Sequence, residues 1–486
     1  MNIFKTTFVL LLLLVSSINS FSKSHIELNF PGAENRKATV WVYKDLISLE
    51  RQVVSEIIID KKGNFSFDTY NSQVQKYFIE IRYFRVSFYI EPSTDYKIQF
   101  DKVDFNNREY YPKNMVGYLI PNYEIIEPSA PEFNSELDSL NIIFDDFIDK
   151  NHLRLRMGNK SWQLVDSLEM EVNTYLKKHT DKDLKSNAAI QIAQFRMLSN
   201  QYGRDYIVKT YFRPKDIAYH NIAYMSFFRS FWTKYIGTSL KRDLRNKLDS
   251  VINEERSYQA LSALLANDSL LTDPALKKLV ILRNIPQLYK MDKFDKQAVI
   301  NILYDISASK YSKEHQHIAV NLRKKIEDLN TGAKAPDFSF IDYKGDTISL
   351  EKQQGMYIYI QVFTDECIEC LSQLKVTKEL YDKFDDIITF VHISLDRKEE
   401  DMLNVIKDED YKWHFVFLED NYKFLQDYDI SAFPRAILIS QEGEFIKWNA
   451  PLPSQYFEDY FLKYLNDKKG NLQLENPRYR GYRKKN

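Results

Sequence analysis

Asp365-Glu366-Cys367-Ile368-Glu369-Cys370 holds both cysteines of a 486-residue chain, separated by two residues. The apolar run Met356-Tyr357-Ile358-Tyr359-Ile360-Gln361-Val362-Phe363 precedes it. Leu371, Leu374, Leu380, Tyr381 and Phe384 follow at helical spacing. A strand that delivers a Cys-x-x-Cys pair to the start of a helix is the layout of a disulfide-exchange site. Two other chemistries compete with that reading. A zinc site needs about four ligands and finds two cysteines here. A structural bridge across a two-residue gap would constrain very little chain, so it would be a weak staple.

The chain around this stretch is too long for one ordinary domain. A formal net charge of −1 gives no attraction to nucleic acid or to an anionic membrane surface. Residues 1–22 read as a secretory signal: Lys5 is the positive flank, Phe8-Val9-Leu10-Leu11-Leu12-Leu13-Leu14-Val15 is the apolar run, and Ser20-Phe21-Ser22 offers a cleavage point near Ser22–Lys23. No cysteine follows the apolar run, which argues against a lipid anchor. The expected location is the periplasm or cell envelope, with the chain soluble after cleavage or tethered by an uncleaved signal.

Residues 23–105 read as β structure. Ile26–Phe30, Ala38–Tyr43, Ile57–Ile59, Phe65–Phe67, Tyr77–Ile81, Val86–Ile90 and Tyr96–Phe100 are short strand-like runs, with Asp60-Lys61-Lys62-Gly63-Asn64 as a turn. Regular spacing of such runs predicts a small antiparallel sandwich. Residues 106–131, with Pro112, Pro121, Pro128 and Pro131, read as a linker. From 132 to 329 the period becomes helical. Leu137, Leu140, Phe144, Phe147 and Ile148 are assigned to one face, and Ile217, Tyr224, Phe227, Phe228, Phe231 and Tyr235 to another, both as core. Thr272-Asp273-Pro274 supplies a cap and a first-turn proline ahead of Leu276, Leu279 and Val280. His315-Gln316-His317 is read as a surface pair, because neighbouring helix positions point apart and no further ligand completes a metal set.

Residues 330–468 alternate strands and helices, predicting a mixed α/β sheet. The basic tail 469–486 reads as a disordered end. The pattern Lys62–Phe67 followed by Phe88–Pro92 resembles the β-rich domain that precedes thioredoxin modules in exported Bacteroidetes proteins. Gly332-Ala333-Lys334-Ala335-Pro336-Asp337-Phe338, Cys367-Ile368-Glu369-Cys370 and Phe433-Pro434, in that order, resemble the thioredoxin-like domain of the TlpA/ResA and AhpC/TSA group, exported thiol–disulfide oxidoreductases. The resemblance covers a little over a quarter of the chain. It implies a multidomain α/β protein: a C-terminal thioredoxin-like fold behind an antiparallel β-sandwich and an all-α middle region. It also implies Cys367 as nucleophile, Cys370 as resolving thiol, and a cis Pro434 lying against the pair.

The implied partners are disulfide-bearing client proteins and an upstream thiol reductant, whose membrane attachment the sequence leaves open. No cofactor, metal or nucleic acid is implied. The sequence departs from the group's pattern at Glu366, where tryptophan is usual, at Ile368-Glu369, where proline often precedes the second cysteine, and at Gln361, where thioredoxins often carry a buried acid. Two carboxylates beside Cys367 oppose a thiolate, which predicts a reducing or slow pair. Two alternatives stay open. One is a peroxidase built on Thr364-Asp365-Glu366-Cys367, although the proline expected before that threonine is missing. The other is a thioredoxin-fold binding module with an inert pair.

Overall fold

A computed structural model describes residues 22–471, except 106, 108–115, 129–131, 158–160, 200–201, 213–216, 311, 397, 408 and 420, and gives only the backbone of 156–157 and 469–471. Residues 1–21 of the expected signal, Pro112 and Pro131, and the basic tail from 472 onward therefore lie outside the described residues. Two compact units emerge. One comprises residues 1–105 and 120–326, the other 106–119 and 327–486.

In the first unit, eight strands form two four-stranded sheets. β1 (Ser22–Asn29), β4 (Asn64–Asn71), β7 (Tyr96–Phe100) and β8 (Tyr123–Glu127) assemble in the order β4-β1-β7-β8. β2 (Lys37–Tyr43), β3 (Arg51–Ile58), β5 (Gln75–Ile81) and β6 (Phe84–Ile90) assemble as β3-β2-β5-β6. Every pairing is antiparallel except β1 with β7. Inward residues alternate along each strand, as in β4, where Phe65, Phe67, Thr69 and Asn71 are buried. The sheets meet through aromatic rings: Phe30 stacks on Phe100 at 4.6 Å and meets Phe84 of the other sheet edge-on at 6.0 Å. Because β1 begins at Ser22, cleavage between Ser22 and Lys23 would fall within a paired strand.

The stretch 106–131 is not wholly a linker. Its residues Tyr123–Glu127 form β8 and complete the first sheet; the prolines drew attention away from the alternation Tyr123, Ile125.

Gly32 carries a sharp turn at φ 96°, where a Cβ would sit 1.8 Å from the carbonyl oxygen of Val103. Gly32→Ala should destabilise the unit by on the order of 3 kcal/mol, from left-handed backbone strain plus overlap. A denaturation midpoint unchanged from wild type would contradict this.

The helical part of this unit contains α1 (Phe133–Met157), α2 (Ser161–Leu176), α3 (Lys182–Leu198), α4 (Ile222–Phe231), α5 (Arg242–Ser250), α6 (Tyr258–Leu265), α7 (Pro274–Lys290), α8 (Lys296–Ala308) and α9 (Lys313–Asp328). Asp273 caps α7, accepting the Leu276 amide at 2.7 Å, with Pro274 in the first turn. Phe212, Phe228, Phe231, Trp232 and Tyr235 join Leu276, Leu279 and Val280 in one large core.

The structure corrects two expectations. Ile148 is exposed, while Leu140, Phe144 and Phe147 form the inward stripe. His315 is buried, not at the surface. It takes a 2.8 Å hydrogen bond with the Tyr219 hydroxyl, and burial pushes its imidazole down to about 4. His315 shares the helix face of Ile318, Ala319 and Leu322, a spacing that adjacent-residue reasoning overlooked. Helix α1 docks on β6: the Tyr89 amide donates to Asn134 Oδ1 at 2.7 Å, and Asn134 Nδ2 donates back to the Tyr89 carbonyl at 2.8 Å.

The second unit is built on a five-stranded mixed sheet. β11 (Tyr357–Phe363), β12 (Ile388–Ser394) and β13 (His414–Phe417) run parallel, and β14 (Arg435–Ile439) and β15 (Phe445–Ala450) run antiparallel, in the order β13-β12-β11-β14-β15. A hairpin of β9 (Ser339–Ile341) and β10 (Thr347–Ser349) precedes it. α10 (Ile368–Phe384), α11 (Glu399–Ile406), α12 (Tyr422–Asp427) and α13 (Phe457–Asn471) complete the unit. Each residue of β11 is buried because both sheet faces are covered, which explains its unbroken apolar reading. Tyr357, Tyr359 and Phe363 face the layer with α10 and α13. Ile358, Ile360 and Val362 face the opposite core with Phe338, Phe340 and Phe424.

Candidate active site

The central strand β11 ends at Phe363, and four residues later the chain enters α10. Cys367 is the N-cap: its backbone is extended (φ −87°, ψ 92°), and its Sγ accepts the Cys370 amide at 3.1 Å. The Cys367 amide donates to the Thr364 carbonyl at 3.2 Å, closing the preceding turn. Cys367 is half-buried and Cys370 fully buried, and the two are joined in a disulfide. A sulfur at a helix N-terminus faces unpaired amides and the positive end of the macrodipole, both of which favour a thiolate once the bond is reduced.

Pro434 stands next to β14, whose Arg435 pairs with Val362 of β11, and the Phe433–Pro434 peptide is cis. Phe433, like Cys367, packs against the apolar cluster that contains Cys370. Pro434 also lines a surface groove with Lys447, Asn449, Pro451 and Gln455. Of the three residues expected at the site, Cys367 and Cys370 thus stand at the start of α10, and Pro434 immediately ahead of β14, the strand paired with β11.

The carboxylates flanking Cys367, Glu366 and Glu369, are both exposed, and Glu369 Oε1 accepts from Gln373 Nε2 at 2.9 Å. Gln373, buried on α10, also donates to Ser454 Oγ at 2.8 Å and accepts the Ser454 amide at 2.9 Å. This tie fastens the first turns of α10 to the loop after β15. Ile368, between the cysteines, is 85% exposed and would meet any partner first.

Sequence reasoning missed two buried groups. His392 is the register partner of Gln361 across β11 and β12, and both are fully buried. Gln361 lies on the strand face of Tyr359 and Phe363, and His392 on that of Phe390, so both point into the cluster beneath α10. Neither side chain has a hydrogen-bond partner among the described residues. His392 is enclosed by Trp413 and Phe415 at ring distances of 5.6 and 5.5 Å, and burial pushes it down to about 3, so it stays neutral. Asp396 is the second group. It is 2% exposed, accepts the Asp365 amide at 2.8 Å, and accepts from Ser394 Oγ at 2.6 Å. Burial raises its carboxyl to about 7, with the nearby Asp365 charge adding to the shift. Its signal was its position just beyond the carboxyl end of a parallel strand, where α/β sheets place their sites.

Among the described residues no group of three or more His, Cys, Asp or Glu side chains is arranged to hold a metal. No helix there is long and apolar enough to cross a membrane.

Comparison with known proteins agrees with this geometry. Residues 355–445 match a family model described as thioredoxin-like. The thiol-disulfide oxidoreductase ResA of Bacillus thuringiensis subsp. konkukian is 26% identical over 125 residues, covering 25% of this chain and 71% of ResA. The thioredoxin-like protein YneN of Bacillus subtilis is 23% identical over 122 residues, with the same coverage of 25% and 71%. Among solved structures, the thioredoxin domain of a thiol-disulfide oxidoreductase from Bacteroides vulgatus is 28% identical and covers 28% of this chain and 98% of that one, at a TM-score of 0.26. A strand–CxxC–helix on a five-stranded mixed sheet, together with the family match over residues 355–445, defines a thioredoxin-like domain. Within that class the C-terminal domain is TlpA/ResA-like.

Proposed function

We propose that this protein is an exported thiol–disulfide oxidoreductase that reduces or exchanges disulfides of client proteins in the periplasm or cell envelope. The observation that carries this is the bonded pair itself, with Cys367 half-buried at the N-cap of α10 and Cys370 buried one turn inside. Export rests on the signal-like residues 1–22.

In the reduced protein the Cys367 thiolate attacks one sulfur of a client disulfide. A mixed disulfide forms, and the first client thiolate leaves and takes a proton from water. Cys370, deprotonated, then attacks Cys367 Sγ. The Cys367–Cys370 bond re-forms and the second client thiolate departs. Two electrons pass from the pair to the client, and an upstream thiol reductant returns two to the pair. Pro434 shapes the groove for the client backbone and offers no competing N–H. Residues 23–105 and 132–329 serve to hold or select the client whose disulfide the domain 330–468 reduces.

Glu366 and Glu369 oppose the helix effect on Cys367, so the thiolate should be less favoured than in oxidising relatives of this fold. Titrating thiolate absorbance of the reduced protein should show little signal at mildly acidic pH. Glu366→Gln with Glu369→Gln should shift the titration downward by roughly half a unit. Strong thiolate absorbance in the wild type near pH 5, unaltered in the double variant, would contradict the role given to these carboxylates.

A further inference from the structure

We propose that Asp396 is a positioning residue for Cys367: its buried carboxyl pins the turn that presents the nucleophile, and its charge sets how readily that nucleophile ionises. This inference rests on the assignment of Cys367 as the attacking thiol.

The turn from Thr364 to Cys367 is held at two points. Its second amide, that of Asp365, donates to Asp396 Oδ1 at 2.8 Å, and its last, that of Cys367, donates to the Thr364 carbonyl at 3.2 Å. Asp396 is itself fixed from behind. Ser394 Oγ donates to Oδ2 at 2.6 Å, and the Asp396 amide donates to Ser394 Oγ at 3.1 Å. The chain beyond β12 is tied to β11 by the Leu395 amide, which donates to the Phe363 carbonyl at 2.9 Å. A carboxyl at 2% exposure thus spans from the end of β12 to the residue two places ahead of Cys367. A buried charge bonded to the turn that carries the nucleophile acts on it partly through protein rather than water, where the attenuation is weaker.

Burial and the Asp365 charge keep this carboxyl protonated to about pH 7. Below that pH the turn is held by a neutral acid, whose carbonyl oxygen still accepts from Asp365. Above it a carboxylate faces the turn and opposes a thiolate at Cys367. The other titratable and charged groups on the surrounding elements include Asp365 in the turn, His392 on β12, Glu366 and Glu369 at the start of α10, Lys398 at the N-cap of α11, and Glu399, Glu400 and Asp401 in its first turn. His392 stays neutral through this range, whereas the Asp396 carboxyl changes charge near neutrality.

The test uses the full chain in a Cys370→Ser background, so that Cys367 is the lone thiol, and follows its alkylation by iodoacetamide against pH by mass spectrometry. Asp396→Asn keeps both hydrogen bonds and removes the charge. It should move the alkylation midpoint down by about half a pH unit while preserving the limiting rate. Asp396→Leu removes the hydrogen bonds as well and should change the limiting rate at least about threefold, because the turn loses its anchor. An Asp396→Asn profile that superimposes on the parent overturns the proposal, whether or not Asp396→Leu folds. Failure of the parent chain to attack an aromatic disulfide, with alkylation intact and the Asp396→Asn shift present, counts against the oxidoreductase reading alone.

Discussion

Replacing Cys367 by serine is expected to abolish dithiothreitol-driven reduction of insulin, lowering the rate by on the order of 100-fold or more to the uncatalysed background. The serine hydroxyl at the N-cap can still accept the Cys370 amide, as Cys367 Sγ does at 3.1 Å, so α10 should keep its start. What is lost is the nucleophile. Cys370→Ser should behave differently. The first attack survives and the second does not, so a mixed disulfide at Cys367 accumulates with a model disulfide. Burial of Cys370 explains the asymmetry: a sulfur with no exposed surface cannot meet a client first. Equal loss in both variants without any trapped adduct would reverse or remove the assigned roles. Peroxide consumption by the wild type at rates above its disulfide reduction would favour the Thr364-x-x-Cys367 alternative.

The second large effect concerns acid stability. His392 is neutral in the folded protein down to about pH 3, whereas an unfolded chain protonates histidine near 6.5. Between those values the unfolded state binds more protons, so stability rises with pH and is lost as pH falls through the window, by at most ~3–5 kcal/mol. Asp396 acts in the opposite sense. Its folded carboxyl holds a proton to about 7, so its contribution to stability falls as pH rises from about 4 to 7. The two slopes oppose each other between about pH 4 and 6.5, and only the His392 slope remains below that.

His392→Phe should fit, since the ring already stacks among Trp413 and Phe415. Relative to wild type, the variant should gain stability progressively as pH falls from 6.5 to 4, by roughly 2–3 kcal/mol. Hydrogen exchange of β11 and β12 amides in the full chain reads this locally. A difference between variant and wild type that does not change with pH would contradict the buried neutral state of His392.

Most of the C-terminal domain was legible because its signals are local. An apolar run of strand length, a CxxC and a following helical stripe are each read within a window of a few residues, and β11, Cys367 and α10 stand where that reading put them. The strand β8 was hidden because prolines around Tyr123–Glu127 suggested a linker, while the pairing with β7 that stabilises it is set by a distant stretch of chain. His315 was misread for a related reason. Two histidines separated by one residue do point apart, but that leaves open which of them faces the core, and Ile318, Ala319 and Leu322 decide it.

Asp396 and His392 lie outside any motif. Their importance arises only when β12 is laid beside β11, which brings His392 opposite Gln361 and Asp396 onto the Asp365 amide. Gln361 was recognised as the neutral replacement for a buried acid, and the polar residue paired with it became visible only in the register. The departures from the family pattern at Glu366 and Glu369 were legible from the start. The tie from Gln373, which holds Glu369, to Ser454 was not, because it crosses 81 residues.

The most direct test of the central claim is a redox equilibration of the full chain against graded ratios of reduced and oxidised dithiothreitol, with the Cys367–Cys370 state read by thiol-specific alkylation and mass spectrometry. The expected result is a fully reversible two-electron transition in which both cysteines change state together in a folded protein, with the dithiol recovered from the disulfide and the reverse. A pair that stays oxidised at every ratio until the chain is unfolded would contradict the account, because such a bridge is a staple and cannot pass electrons to a client.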